Sequence, residues 1–146
     1  MSITKEFVMG GDATFTVECP PGAKHPHRTY RVTRMPGTDR WPETYFVKLL
    51  TGSDNETSYT YLGILDPNTG SVRVTAKSCR PSHSFTMRLL NRILDRVWRE
   101  EHEAYLNAGF DARHDGRCSC CGRKLTTPTS LERGIGPECW KKMDVF

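Results

Sequence analysis

Residues 45–75 read YFVKLLTGSDNETSYTYLGILDPNTGSVRVT, and the fold follows from how this run divides. Tyr45-Phe46-Val47-Lys48-Leu49-Leu50 is the most apolar strand candidate in the chain, which places it centrally in a sheet. Gly52-Ser53-Asp54-Asn55 closes it. Tyr59-Thr60-Tyr61-Leu62-Gly63-Ile64-Leu65 is a second run of strand-forming residues. Asp66-Pro67-Asn68-Thr69-Gly70 then has tight-turn chemistry, and Val72-Arg73-Val74-Thr75 pairs back across it.

Toward the N-terminus the same pattern repeats. Phe15-Thr16-Val17-Glu18 alternates and is stopped by Pro20-Pro21-Gly22. Thr29 to Arg34 alternates again, and Pro36-Gly37-Thr38-Asp39 turns the chain before Pro42. Residues 1–12, with Gly10-Gly11-Asp12, read as a loose lead-in. Five short strands with compact turns predict an antiparallel meander. From about Ser84 to Asn107 the period changes. Phe85, Leu89, Leu90, Ile93, Leu94, Val97 and Trp98 fall at spacings of three and four, one stripe of a helix that covers the sheet. Ser82 or Ser84 caps its start and Asn107-Ala108-Gly109 its end. The expected class is α+β: a meander sheet packed on one long helix over residues 1–110, with a metal-stapled segment over 111–146.

Composition narrows the function. Lys and Arg exceed Asp and Glu by 21 to 17, a net charge of +4, which permits contact with nucleic acid without requiring it. No run of about 18 apolar residues offers a membrane span. The N-terminus lacks the apolar stretch of a signal peptide, so a cytoplasmic location with reduced thiols is expected.

Four of the six cysteines crowd the C-terminal segment. Cys118-Ser119-Cys120-Cys121-Gly122 contains a Cys-x-x-Cys pair followed by a glycine that lets the backbone turn as a knuckle. Cys139 follows Pro137, which suits the first turn of a short helix. A tetrahedral zinc needs a fourth donor. His114, four residues before Cys118, is the first candidate; Cys120 is the rival, but its side chain should point away from a knuckle that uses both neighbours; His102 and Cys79 are remote alternatives. Three or four thiolates around one ion favour zinc, and a closed shell of protein ligands makes it structural. Leu125, Leu131, Ile135 and Trp140 are too few to hold this segment without the ion.

The run Cys118-x-x-Cys121-Gly122-Arg123-Lys124-Leu125, followed by Pro128, Ser130 and Gly134-Ile135-Gly136-Pro137-x-Cys139, resembles a small zinc-finger family catalogued as a domain of unknown function, number 6011. The resemblance covers about His114 to Cys139. It implies a small accessory protein of a phage or mobile element, located in the host cytoplasm. The family often carries a histidine shortly before the first cysteine, as His114 stands here; Cys120 departs from its pattern. The stretches Tyr45–Gly52 and Tyr59–Gly63 and the later Lys77-Ser78 are similar to segments accompanying that finger in phage proteins. The resemblance implies no activity.

Two surfaces invite nucleic acid. Arg88, Arg92, Arg96 and Arg99 recur along the expected helix at steps of four, four and three, with Arg80 beside them, and Arg123 and Lys124 make the finger basic. Asp95, Glu100, Glu101 and Glu103 interleave with the stripe, so a plain solvated face is the competing reading. Tyr59, Tyr61 and Tyr45 can stack bases if exposed, or fill the core if not. His25, His27 and His83 form no ligand pattern. No nucleophile elbow, phosphate loop or zinc-deaminase signature appears, and Asp54, Glu56 and Asp66 sit in turns, so no enzyme is expected. The expected function is nucleic-acid binding by a zinc-held accessory protein. The alternative is a module that binds and inhibits or redirects a host protein, such as a defence or transcription factor.

Overall fold

The computed structural model describes residues 3–24, 26–54 and 57–143. Met1, Ser2, His25, Asn55, Glu56, Asp144, Val145 and Phe146 lie outside them. The architecture is mixed α/β, built on a curled antiparallel sheet of six strands: β1 (Asp12–Glu18), β2 (His27–Met35), β3 (Thr44–Leu50), β4 (Tyr59–Leu65), β5 (Val72–Arg73) and β6 (Asp111–His114). The spatial order is β5-β4-β3-β2-β1-β6. The first five strands form the expected meander. The sixth returns from beyond the helices to pair with β1, aligning Phe15 with His114 and Val17 with Ala112.

Alternation along the strands decides what is buried. Ala13, Phe15 and Val17, then Tyr30 and Val32, then Tyr45, Val47 and Leu49 face one side. They share a core with Met87, Leu89, Leu90, Ile93, Leu94 and Val97 of the covering helix α2 (Phe85–Trp98). The expected cap holds, with Ser84 Oγ accepting from the Met87 amide at 3.3 Å. Phe85 departs from the expected stripe: it is 45% exposed and lies under the Arg28 guanidinium, 4.6 Å from its centroid. Tyr45 is core, whereas Tyr59 and Tyr61 stand half-buried on the opposite face.

The single long helix expected over about 84–107 is instead two short ones. α2 ends at Trp98, and α3 spans His102–Asn107. Glu100 adopts a left-handed conformation (φ 57°), the amide of Glu101 bonds to the Arg96 carbonyl and that of Glu100 to Val97. This is a Schellman ending with glutamate in the place glycine usually takes. The physical reason is visible in the sequence. Residues 99–103 are Arg-Glu-Glu-His-Glu, so nothing apolar continues the stripe until Tyr105, which is buried.

From Ile3 onward the expected loose lead-in is built into the fold. Thr4 caps a one-turn helix, α1 (Lys5–Val8), through its hydroxyl to the Phe7 amide, and Ile3, Phe7 and Val8 are wholly buried. Phe7 lies with its ring centroid 5.0 Å from that of His114. It also fills the space beside Gly134, where a side chain would run into its ring. Just beyond, the Asp12 amide bonds the Ser119 carbonyl at 2.7 Å, and the Ser119 amide bonds Gly134 at 3.0 Å. The N-terminal turn is thus a wedge between the sheet and the cysteine-rich segment. Replacing Phe7 by Ala should cost about 3–5 kcal/mol, as expected for a buried phenyl ring. Denaturant unfolding in the presence of saturating metal measures it; a loss under about 1 kcal/mol would show that the wedge does not hold the two parts together.

Candidate metal centre

Three elements converge. The hairpin that follows β6 carries Cys118 and Cys121, short helix α4 (Pro128–Arg133) packs beneath it, and helix α5 (Pro137–Met143) brings Cys139. The knuckle forms as its sequence requires. Gly122 takes a positive φ of 79°, its amide bonds the Cys118 carbonyl at 2.9 Å, and the Cys118 amide bonds Arg123 at 2.9 Å. Arg117 and Lys124 bridge the two arms. The chain returns through Gly134, which caps α4 in the left-handed region, so that Gly136 and Pro137 lead into α5 beside the knuckle.

The sulfur atoms of Cys118, Cys121 and Cys139 lie within 4.8 Å of one another, a group able to hold a metal ion. Cys118 is buried, Cys139 half-buried and Cys121 exposed. Burial opposes ionisation of Cys118, but amide donors from Gly136, Cys121 and Cys120 outweigh it and bring the thiol down to about 7. Cys139 moves the other way, to about 12, through burial and then the neighbouring Cys118 and Cys121 sulfurs. One thiolate is stabilised and the next is repelled by it. A divalent cation removes that repulsion, so the donor set fits a thiophilic metal.

His114, the expected fourth ligand, is not in the cluster. Its Nε2–H donates to the Leu131 carbonyl at 2.7 Å, and its Nδ1 accepts the Gly116 amide at 3.0 Å. Both ring nitrogens are committed to backbone. Burial lowers its pKa, favouring the neutral ring that this pattern needs. His114 therefore ties β6 to α4. The remote alternatives are also engaged elsewhere: His102 Nε2 bonds the Ile3 carbonyl at 2.8 Å, and the Cys79 thiol faces the Thr60 carbonyl.

The basic residues sort into two groups. Arg88 and Arg92 are exposed, and among the described residues neither forms an ion pair. Arg96 instead pairs with Glu101 at 2.6 Å across the helix break, and Arg99 with Asp95 at 3.2 Å. Arg123 and Lys124 are exposed on the knuckle, while Arg133 lies over the Trp140 ring at 4.3 Å. A cavity of about 480 Å³ near the start of α2 is lined by His27, Arg28, Arg80, Thr86 and residues of β3, with no acid among them. Arg28 is positioned there by its bond to Thr86 Oγ1 at 2.9 Å. Sequence reading missed Arg28 because its partner Thr86 lies 58 residues away in the chain.

These features define a mixed α/β protein with a C-terminal thiol centre. Residues 108–144 match a family described as a family of unknown function (DUF6011), the family that the cysteine motif resembles. The match spans about a quarter of the chain. No curated protein and no solved structure matches the chain. Cys139→Ala should abolish metal binding, whereas His114→Ala should keep one ion per chain at saturating metal yet unfold at lower temperature. Metal analysis and thermal unfolding on the two variants check this; loss of the ion from the His114 variant alone would return His114 to the ligand set.

Proposed function

We propose that this chain is a small zinc-stabilised protein that binds nucleic acid, an accessory protein of the phage type acting in the host cytoplasm. Zinc is the metal that an all-protein tetrahedral site with several thiolates suits best, and it brings no redox chemistry to the cysteines. The observation that carries the nucleic-acid reading is the acid-free cavity holding His27, Arg28 and Arg80. Thr86 lines it from the first turn of α2, and Arg88 and Arg92 stand exposed along the same helix. Guanidinium groups spaced by about a helical turn can follow successive phosphates, and such binding weakens steeply with salt. Within the expected stripe, Arg88 and Arg92 form no ion pair among the described residues, whereas Arg96 and Arg99 pair with Glu101 and Asp95, which favours the first two as phosphate contacts. Arg123 and Lys124 are proposed as a second contact from the finger.

A second reading is favoured by a separate observation. Trp41 is 70% exposed and Met35 53% exposed around the β2–β3 connection. The turn bearing Trp41 is held by the Thr38 hydroxyl, which accepts the amides of Arg40 and Trp41. A rigid exposed tryptophan is the usual anchor of a protein contact, which suits a module that captures a host protein.

Fluorescence anisotropy with single- and double-stranded oligonucleotides across a salt series separates the readings. The double variant Arg88→Glu/Arg92→Glu should weaken binding and reduce the salt slope by about one per lost contact. Arg99→Glu should change it less. Absence of salt-sensitive binding to any oligonucleotide by the wild type would overturn the nucleic-acid reading and leave the protein-contact reading.

A further inference from the structure

The cavity near the start of α2 lies where two strand ends and a helix end meet. His27 and Arg28 stand at the start of β2, Leu49 and Leu50 at the end of β3, and Arg80 and Thr86 on either side of Ser84, the N-cap of α2. Among the described residues no acid lines it. Its basic groups are held from behind. Arg28 Nε donates to Thr86 Oγ1 at 2.9 Å, and Arg80 donates to the Cys79 carbonyl at 2.9 Å. Thr86 is fixed in turn by the Tyr30 hydroxyl, which donates to its carbonyl at 2.9 Å. Two guanidinium groups lining one recess without a carboxylate favour an anion there, and their planar forks suit a phosphate.

Beside the recess stands an aromatic ring that the core does not use. Phe85 is the first residue of α2 and 45% exposed, with the Arg28 guanidinium 4.6 Å from its ring centroid. Arg88 and Arg92 follow it by three and seven residues, so the three share one side of the helix, and all are exposed. A lone exposed apolar side chain means little by itself. Here the ring adjoins an acid-free recess at one end and, at the other, two arginines that form no ion pair among the described residues. We infer that the nucleic acid this surface takes is single-stranded. One nucleotide places its phosphate in the recess beside Arg28 and Arg80 and stacks its base against Phe85, and the neighbouring phosphates pass along Arg88 and Arg92. The inference rests on the nucleic-acid reading proposed above and names the form of nucleic acid that the site selects. In a duplex each base is already paired and stacked within the helix, so Phe85 gains nothing and only phosphates touch the protein. An unpaired nucleotide offers its base and its backbone together.

Anisotropy of a labelled single strand and of its matching duplex, read across a salt series on the full chain, tests this. The single strand should bind the wild type more tightly than the duplex. Phe85→Leu should weaken single-strand binding by about 5- to 150-fold, the worth of one stacked base. It should leave duplex binding and the salt slope unchanged, because stacking releases no counterions. Phe85→Trp should bind like the wild type. Arg80→Gln should instead lower the slope by about 0.7, the value for one phosphate contact on a single strand. Equal or tighter binding of the duplex would overturn the inference, as would wild-type affinity of Phe85→Leu for the single strand. So would a nucleoside monophosphate that displaces the strand at the strand's own affinity, since the recess would then serve a free nucleotide. If Phe85→Leu does not fold, the comparison of strand and duplex on the wild type decides alone. Absence of binding to both forms is a different failure, that of the nucleic-acid reading itself.

Discussion

Three sulfur atoms within 4.8 Å of one another cannot all carry charge without a cation between them, and the C-terminal third of the structure is arranged around that constraint. The donors that pull Cys118 down to about 7 are backbone amides, held in place by the knuckle and by the turn at Gly136. Burial first, and then the neighbouring Cys118 and Cys121 sulfurs, push the Cys139 thiol up to about 12. A divalent ion between the three sulfurs would relieve that repulsion, and in a segment with so few apolar residues its binding would be coupled to folding.

The finger meets the body through a narrow seam. Phe7 stacks beside His114 and under Gly134, while the Ser119 backbone joins β1 to the knuckle. His114 belongs to both sides, being the last residue of β6 and the hydrogen-bond partner of Leu131 in α4. The sheet and the finger consequently share a strand, a wedge and a histidine. The exposed Arg88 and Arg92 lie on the body, and the exposed Arg123 and Lys124 on the C-terminal segment.

Much of this was legible in the sequence, and the exceptions have physical causes. The meander could be read because alternation and turn residues are local signals: Tyr45–Leu50 and Asp66–Gly70 announce themselves within a few positions. The cysteine spacing announced the cluster in the same way. β6 escaped because Asp111–His114 has no strand pattern of its own and exists by pairing with β1, nearly a hundred residues earlier. α1 escaped because one turn gives no period to detect. The helix break escaped because a stripe read by spacing bridges a gap where Glu100 turns left-handed. His114 was placed by its nearness in sequence to Cys118, but its nitrogens were claimed by Leu131 and Gly116, partners that no spacing rule reveals. Spacing along the helix does not show which of the arginines are already paired, as Arg96 is with Glu101 and Arg99 with Asp95.

The account stands on the thiol centre holding a metal. Native mass spectrometry of the wild-type protein, purified without added metal and with chelators avoided, tests this most directly. One zinc ion per chain is the predicted result. A metal-free protein that is nevertheless fully folded would contradict it, leaving the cysteines as core and redox residues and the finger held by Phe7 and its hydrogen bonds alone.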